Sequence, residues 1–203
     1  LVPPLDFIPF AEQTGFVRQL TLWMFEEVAK HWAALQPAQG HLRIAINLST
    51  RDLLDLEFPQ HLSTLMQTYR VEASAFCLEI TESAIMDDPQ RAEATLNKLA
   101  ELGFKLSIDD FGTGYSSLAY LKRLPVHELK IDKSFVMGME KDESDEKIVR
   151  STIDLAHNLG LSVVAEGVEN QAILDRLAAL GCDEAQGYFI SKPIPHDTFV
   201  AWR

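Results

Sequence analysis

Residues 105–117 read KLSIDDFGTGYSS. A short run rich in apolar residues ends in two adjacent aspartates, which is the composition of a strand that stops at a polar rim. Two glycines two positions apart follow, and they let the backbone take positive φ and turn sharply. Serines after them can cap a helix starting at Tyr115-Ser116-Ser117. The reading is strand, tight turn, helix, with Asp109 and Asp110 carried at a joint whose motion can assemble or dismantle a site.

The same unit repeats outward from this stretch. Apolar runs occupy residues 43–49 (RIAINLS), 76–83 (FCLEITES), 105–111 (KLSIDDF), 128–135 (ELKIDKSF), 162–169 (SVVAEGVE) and 184–191 (EAQGYFIS). Their starts are 33, 29, 23, 34 and 22 residues apart, the pitch of successive βα units. Between them the period is helical: Phe16, Leu20, Trp23, Met24, Val28, Trp32 and Leu35 recur at i, i+3, i+4 spacing, and Ala94, Leu96, Leu99 and Leu102 precede Gly103. Gly160 and Gly181 close the stretches 145–159 and 170–180, as glycine does just past a helix end. Residues 2–12 (VPPLDFIPFAE) read as a turn leading into the first helix. Repeated βα units predict a parallel sheet with helices outside. Their even pitch favours a barrel over an open sheet, and no GxGxxG follows any strand. The expected fold class is α/β, a modified TIM (β/α)8 barrel with six of its eight βα units in this chain. Residues 1–203 are expected to be one domain, N-terminally incomplete, with two strands expected before the first helix.

Composition bounds the function. Of 203 residues, 47% are hydrophobic and 24% charged, an ordinary globular balance. The 18 Lys+Arg against 30 Asp+Glu give a net charge of −12, which repels polymeric nucleic acid. A small phosphorylated ligand stays compatible, because a bound metal inverts the local sign. Cys77 and Cys182 have no ligand spacing around them, which speaks for a reducing compartment and against structural zinc. No run of ~18 apolar residues and no signal-peptide pattern occurs. The expected location is cytoplasmic, alone or as the cytoplasmic part of a membrane-anchored protein, with no membrane contact from this segment. Residues 140–147 (EKDESDEK) read as a solvated loop and helix start. The histidines His31, His41, His61, His127, His157 and His196 read as surface or helix-end residues, and Trp23, Phe25 and Trp32 as core and helix-face residues.

The chemistry lies in where the polar residues fall. Asn47, Glu79, Asp109 with Asp110, Lys130 with Asp132, Glu166 and Gln186 each sit near the C-terminal end of a run. In a βα barrel those ends converge on the face where chemistry occurs. A ring of carboxylates needs a compensating cation, and a set of oxygen donors with no Cys or His selects Mg²⁺ or Mn²⁺. Two such ions form a clamp for attack of water on phosphorus. Lys130 and Asp132 share a strand face, where the lysine can orient water or meet developing charge. Metal-assisted phosphoester hydrolysis is the reading of these residues. Plainer readings stand beside it: a structural Lys130–Asp132 ion pair, Asn47 bonding backbone in its own turn, Gln186-Gly187 as a close-packing feature, and Glu82 as a loop anchor on the other side of its strand from Glu79.

The motifs resemble a known family. NLS at 47–49, LEITES at 78–83, DDFGTGYSSLAYL at 109–121, LKIDKSFV at 129–136, AEGVE at 165–169 and QGYFISKP at 186–193 are similar to those of the EAL domain, as is the opening PLDFIPFAEQTG. The resemblance covers essentially the whole chain. It implies a modified TIM barrel binding cyclic di-GMP, with active members hydrolysing it to linear pGpG on Mg²⁺ or Mn²⁺ and inhibited by excess Ca²⁺. Asn47, Glu79 and Asp109 then correspond to ligands of one metal, and Asp109, Asp110 and Glu166 to ligands of a second. Lys130 corresponds to the lysine that holds the attacking water, and Glu82 to the glutamate that fixes the 110–117 loop. Asp132, Glu169 and Gln186 match further substrate or loop-support positions. The resemblance also implies a homodimer and attachment to sensory or cyclase domains in a longer chain. The Glu-Ala-Leu signature that names the family, with its metal-ligating glutamate, lies before the segment matching Leu1, so the open sheet edges of this chain alone invite association. Two other readings compete: a cyclic di-GMP receptor without turnover, and an unrelated barrel enzyme using Lys130 as a Schiff-base amine. The carboxylate ring argues against the latter by holding the lysine protonated.

Overall fold

Three strands in this chain stop where a polar side chain, of Ser49, Thr81 or Asp132, caps the next helix. The computed structural model describes residues 2–35, 42–114 and 118–202. The chain divides into two units, Leu1–Leu106 and Ser107–Arg203, with the division inside β3.

The first unit opens with α1 (Pro4–Thr14) and α2 (Val17–Leu35). The turn expected at residues 2–12 is therefore a helix. Pro4 occupies its first turn, where a missing N–H costs nothing. After α2 come β1 (Ile44–Leu48), α3 (Thr50–Leu53), α4 (Phe58–Tyr69), β2 (Phe76–Thr81), α5 (Glu82–Asp87) and α6 (Pro89–Glu101). β1 and β2 are parallel, with Asn47 opposite Glu79. β2 is shorter than the run 76–83, because the Thr81 hydroxyl accepts from the Ala84 N–H and starts α5. Ser49 and Asp52 form a reciprocal capping box on α3.

The core of this unit is aromatic. Phe25 packs against Phe58, Phe76 and Phe104 at centroid distances of 6.4, 5.3 and 6.2 Å. All four rings are buried. The face of α2 differs from its apolar periodicity: Val17, Thr21, Phe25 and Ala29 face inward, while Phe16, Trp23 and Met24 are exposed. Apolar residues surround most of this helix, so spacing alone did not choose the buried stripe.

The second unit runs β3 (Lys105–Phe111), α7 (Leu118–Leu121), β4 (Glu128–Ile131), α8 (Lys133–Gly138), α9 (Glu143–Asn158), β5 (Ser162–Glu166), α10 (Gln171–Ala179), β6 (Glu184–Gln186) and α11 (His196–Trp202). β3 through β6 pair in parallel in chain order. Leu129, Ile131, Val163, Ala165, Val149, Ile153, Ile173 and Leu177 are buried between sheet and helices, each large side chain contributing ~1.5–3 kcal/mol. Residues 140–147 are the expected loop and helix start, with Asp142 capping α9 through the Ser144 N–H at 2.8 Å. At the opposite end of the unit from its strand C-termini, Asp183 accepts from the Val163 N–H at 2.8 Å and meets His157 Nε2 at 2.9 Å. Burial pushes the Cys182 thiol up to about 11, as suits an inert cysteine.

All six expected βα units are present, which makes the fold α/β with parallel strands as read from the sequence. The expected cap at Ser116–Ser117, with Tyr115, and His41 lie outside the described residues. Among the described residues no helix is long and apolar enough to cross a membrane.

Candidate active site

Two adjacent residues of a strand point to opposite faces, yet Asp109 and Asp110 both reach one site. The cause is a register shift. Ser107 and Ile108 of β3 pair with Glu128 and Leu129, but Phe111 pairs with Ile131, so β3 spends one extra residue. That is a bulge, which re-aims side chains. Asp110 absorbs it with a φ of 53°, in the left-handed region. Its N–H donates to Asp109 Oδ1 at 3.1 Å, and its carbonyl accepts from the Thr113 hydroxyl at 2.8 Å. Gly112 follows with φ +99°, the backbone freedom that this turn requires.

Carboxylate oxygens of Asp109, Asp110 and Glu166 lie within 4.8 Å of one another. Lys130 reaches into this group from β4, with Nζ 3.2 Å from Asp109 Oδ1 and 2.6 Å from Glu166 Oε1. The lysine side chain is 4% exposed. One ammonium does not balance three carboxylates, and the imbalance shows in protonation. Burial, then the charges of Asp109, Asp132 and Glu166, push the Asp110 pKa above the ordinary aspartate value. Asp110 also hydrogen-bonds to Asp132. Burial alone would raise Asp132 as well, but the Ser134 hydroxyl and N–H and the Asp110 carboxyl donate to it and hold it below that value. Asp132 is also the cap of α8, so the expected Lys130–Asp132 pair gives way to Lys130 with Asp109 and Glu166. Three hard oxygen donors with excess negative charge fit a divalent cation such as Mg²⁺ or Mn²⁺. A lysine bridged to two carboxylates is a poor Schiff-base amine.

Beside the cluster opens a cleft of about 720 Å³, lined by Lys133, Glu166, Glu169, Gln186, Tyr188, Lys192 and others. Its size suits a small ligand. Gln186 is the register partner of Glu166 on β6. Gly187 abuts β5's following loop so closely that a Cβ there would lie 2.2 Å from the Val168 carbonyl oxygen. Gln186-Gly187 is thus both a cleft contact and a close-packing feature. No spacing in the sequence marks Lys133, Tyr188 or Lys192 as cleft residues, although QGYFISKP contains two of them. In the first unit, Asn47 and Glu79 are register partners at the C-terminal ends of β1 and β2, with Asn47 exposed and Glu79 buried. Glu82 is buried in the first turn of α5.

Comparison with known proteins agrees with the motifs. A family model described as EAL domain matches residues 1–193. The chain is 38% identical over 202 residues to the bifunctional diguanylate cyclase/cyclic di-GMP phosphodiesterase MucR of Pseudomonas aeruginosa, covering 99% of this chain and 30% of MucR. It is 35% identical over 202 residues to the cyclic di-GMP phosphodiesterase PdeR of Escherichia coli, covering 100% of this chain and 31% of PdeR. The chain spans about a quarter to a third of the length of the curated relatives it matches. Among solved structures, the MucR phosphodiesterase in complex with cyclic di-GMP superposes with a TM-score of 0.91 at 38% identity, covering 97% of this chain and 80% of that one. The EAL enzyme Bd1971 with cAMP and cyclic di-GMP bound gives 0.93 at 34% identity, covering 100% of this chain and 56% of that one.

Proposed function

Because this chain belongs to the EAL domain family, we propose that it is the core of a metal-dependent phosphodiesterase that hydrolyses cyclic di-GMP to linear pGpG. The observation that carries this reading is the convergence of Asp109, Asp110 and Glu166 within 4.8 Å around a buried Lys130. In the overall step a water oxygen bonds to phosphorus and the bond from phosphorus to the ribose 3′ oxygen breaks. One proton leaves the water and one arrives on the 3′ oxygen.

Asp109, Asp110 and Glu166 are the residues we assign to holding divalent ions, Mg²⁺ or Mn²⁺. Such ions supply positive charge to the phosphate oxygens and make water nucleophilic at neutral pH. Lys130 donates to the attacking water, and Asp109 and Glu166 aim its Nζ. Glu169 and Gln186 line the cleft that receives the nucleotide. Asp132 fixes Asp110 through their shared hydrogen bond. A homodimer, and sensory or cyclase domains elsewhere in a longer chain, complete the proposal.

The test is to incubate the complete protein with cyclic di-GMP and Mg²⁺ or Mn²⁺ and separate products by chromatography. pGpG that disappears on chelation supports the enzyme. Binding without product makes the protein a receptor, and no binding overturns the reading altogether.

A further inference from the structure

Tyr188 is 64% exposed at the cleft, and Lys192 Nζ stands over its ring, 5.6 Å from the centroid. The backbone that carries Tyr188 is firmly held. The Val168 N–H donates to the Gln186 carbonyl at 3.1 Å, and the Phe189 N–H to the Val168 carbonyl at 3.0 Å. Between these bonds Gly187 lies against the Val168 backbone. A hydrogen-bonded main chain therefore presents a solvent-facing aromatic ring, with an exposed cation above it, to a cleft shared with Glu166 and Gln186.

That pairing matches one nucleobase better than another. Any base stacks on an aromatic face. A lysine ammonium only donates. Guanine presents two adjacent acceptors, O6 and N7, whereas adenine places an amino donor beside N7. We propose that Tyr188 and Lys192 form the guanine-selecting element of the cleft: the Tyr188 ring stacks on one base, and Lys192 Nζ swings from the ring to donate to O6 and N7. The four-carbon stem of lysine permits that swing. The inference rests on the cleft being the cyclic dinucleotide site.

The experiment is calorimetric titration of the complete protein with cyclic di-GMP and with cyclic di-AMP, Ca²⁺ replacing Mg²⁺ so that ligand is not consumed. Lys192→Met is expected to weaken cyclic di-GMP about ten-fold, within the range of a good base contact, and to leave cyclic di-AMP unchanged. Lys192→Arg restores the preference. Tyr188→Leu weakens both ligands alike, and Tyr188→Phe weakens neither. Both side chains are exposed, and unchanged melting midpoints show that the variants fold. If Lys192→Met shifts both ligands equally or neither, while the wild type binds cyclic di-GMP, this inference alone falls. If the wild type binds neither ligand, the proposed function falls with it.

Discussion

Phe25, Phe58, Phe76 and Phe104 meet inside the first unit with contacting ring centroids between 5.3 and 6.4 Å apart. Asp109, Asp110 and Glu166 meet in the second with oxygens within 4.8 Å. Both clusters bring together side chains from separate elements, yet opposite forces act in them. Aromatic pairs at these distances attract, by ~0.5–1.5 kcal/mol beyond the area they bury. Gathered carboxylates repel, and Lys130 offsets only part of that repulsion. The first cluster contributes stability. The second draws on stability supplied by the apolar strands and helices around it, and its use lies in what it attracts.

That contrast predicts separable phenotypes. The largest effect belongs to Asp110→Asn. Turnover should fall on the order of 10³-fold, the scale of losing a charge-positioning group, while the metal-free melting midpoint holds or rises, because one like charge is gone and asparagine tolerates the left-handed backbone there. A midpoint that drops sharply would erase the distinction between the clusters. Phe25→Ala comes next and should cost about 3–4 kcal/mol in urea unfolding. Folded enzyme surviving the change should keep its specific activity, so a selective loss of turnover would count against the contrast. Gly187→Ala lies between the two kinds. Its Cβ would crowd Val168 O and N at 2.2 and 2.3 Å, costing ~1–3 kcal/mol. It should also displace Gln186 and Tyr188, raising KM more than it lowers kcat, and steady-state kinetics would reveal an unaltered KM.

The smallest effect concerns Asp183, away from both clusters. Burial works against its ionisation, but His157 and the Val163 N–H outweigh that and lower its pKa. A folded pKa below the unfolded one gives stability that is present above the unfolded value, about 3.9, and is lost as pH falls through the folded value. Asp183→Asn should remove that contribution at neutral pH and leave the variant and wild type converging in acid. The side chain is 41% exposed, so solvent screens the gain and the gap should be small. Urea midpoints that stay parallel down to acid would refute the linkage.

Much of this was legible in the residues. The six apolar runs each hold a strand, and Asp109, Lys130 and Glu166, near strand ends, lie within reach of one another. What escaped the sequence has local causes. The runs 76–83 and 128–135 outlast their strands, because Thr81 and Asp132 look like strand residues until their side chains cap the next helix. Period-two alternation cannot tell that Asp109 and Asp110 share a site, since the bulge that allows it is a property of pairing with β4. The buried stripe of α2 does not follow apolar spacing, because Trp23 and Met24, like Phe16 just before the helix, are apolar yet exposed. Lys192 and Tyr188 carry no spacing signal, and only the cleft brings them to notice.

The left-handed backbone at Asp110 also limits how this protein can age over generations. Asparagine, aspartate and glycine enter that conformation readily, and most other residues do so at a cost. A lineage released from selection for turnover therefore has few inexpensive exits at position 110. Asparagine and glycine remove the charge and keep the joint intact. Descendants that have retired from chemistry are expected to carry one of those two residues there while their fold persists unchanged.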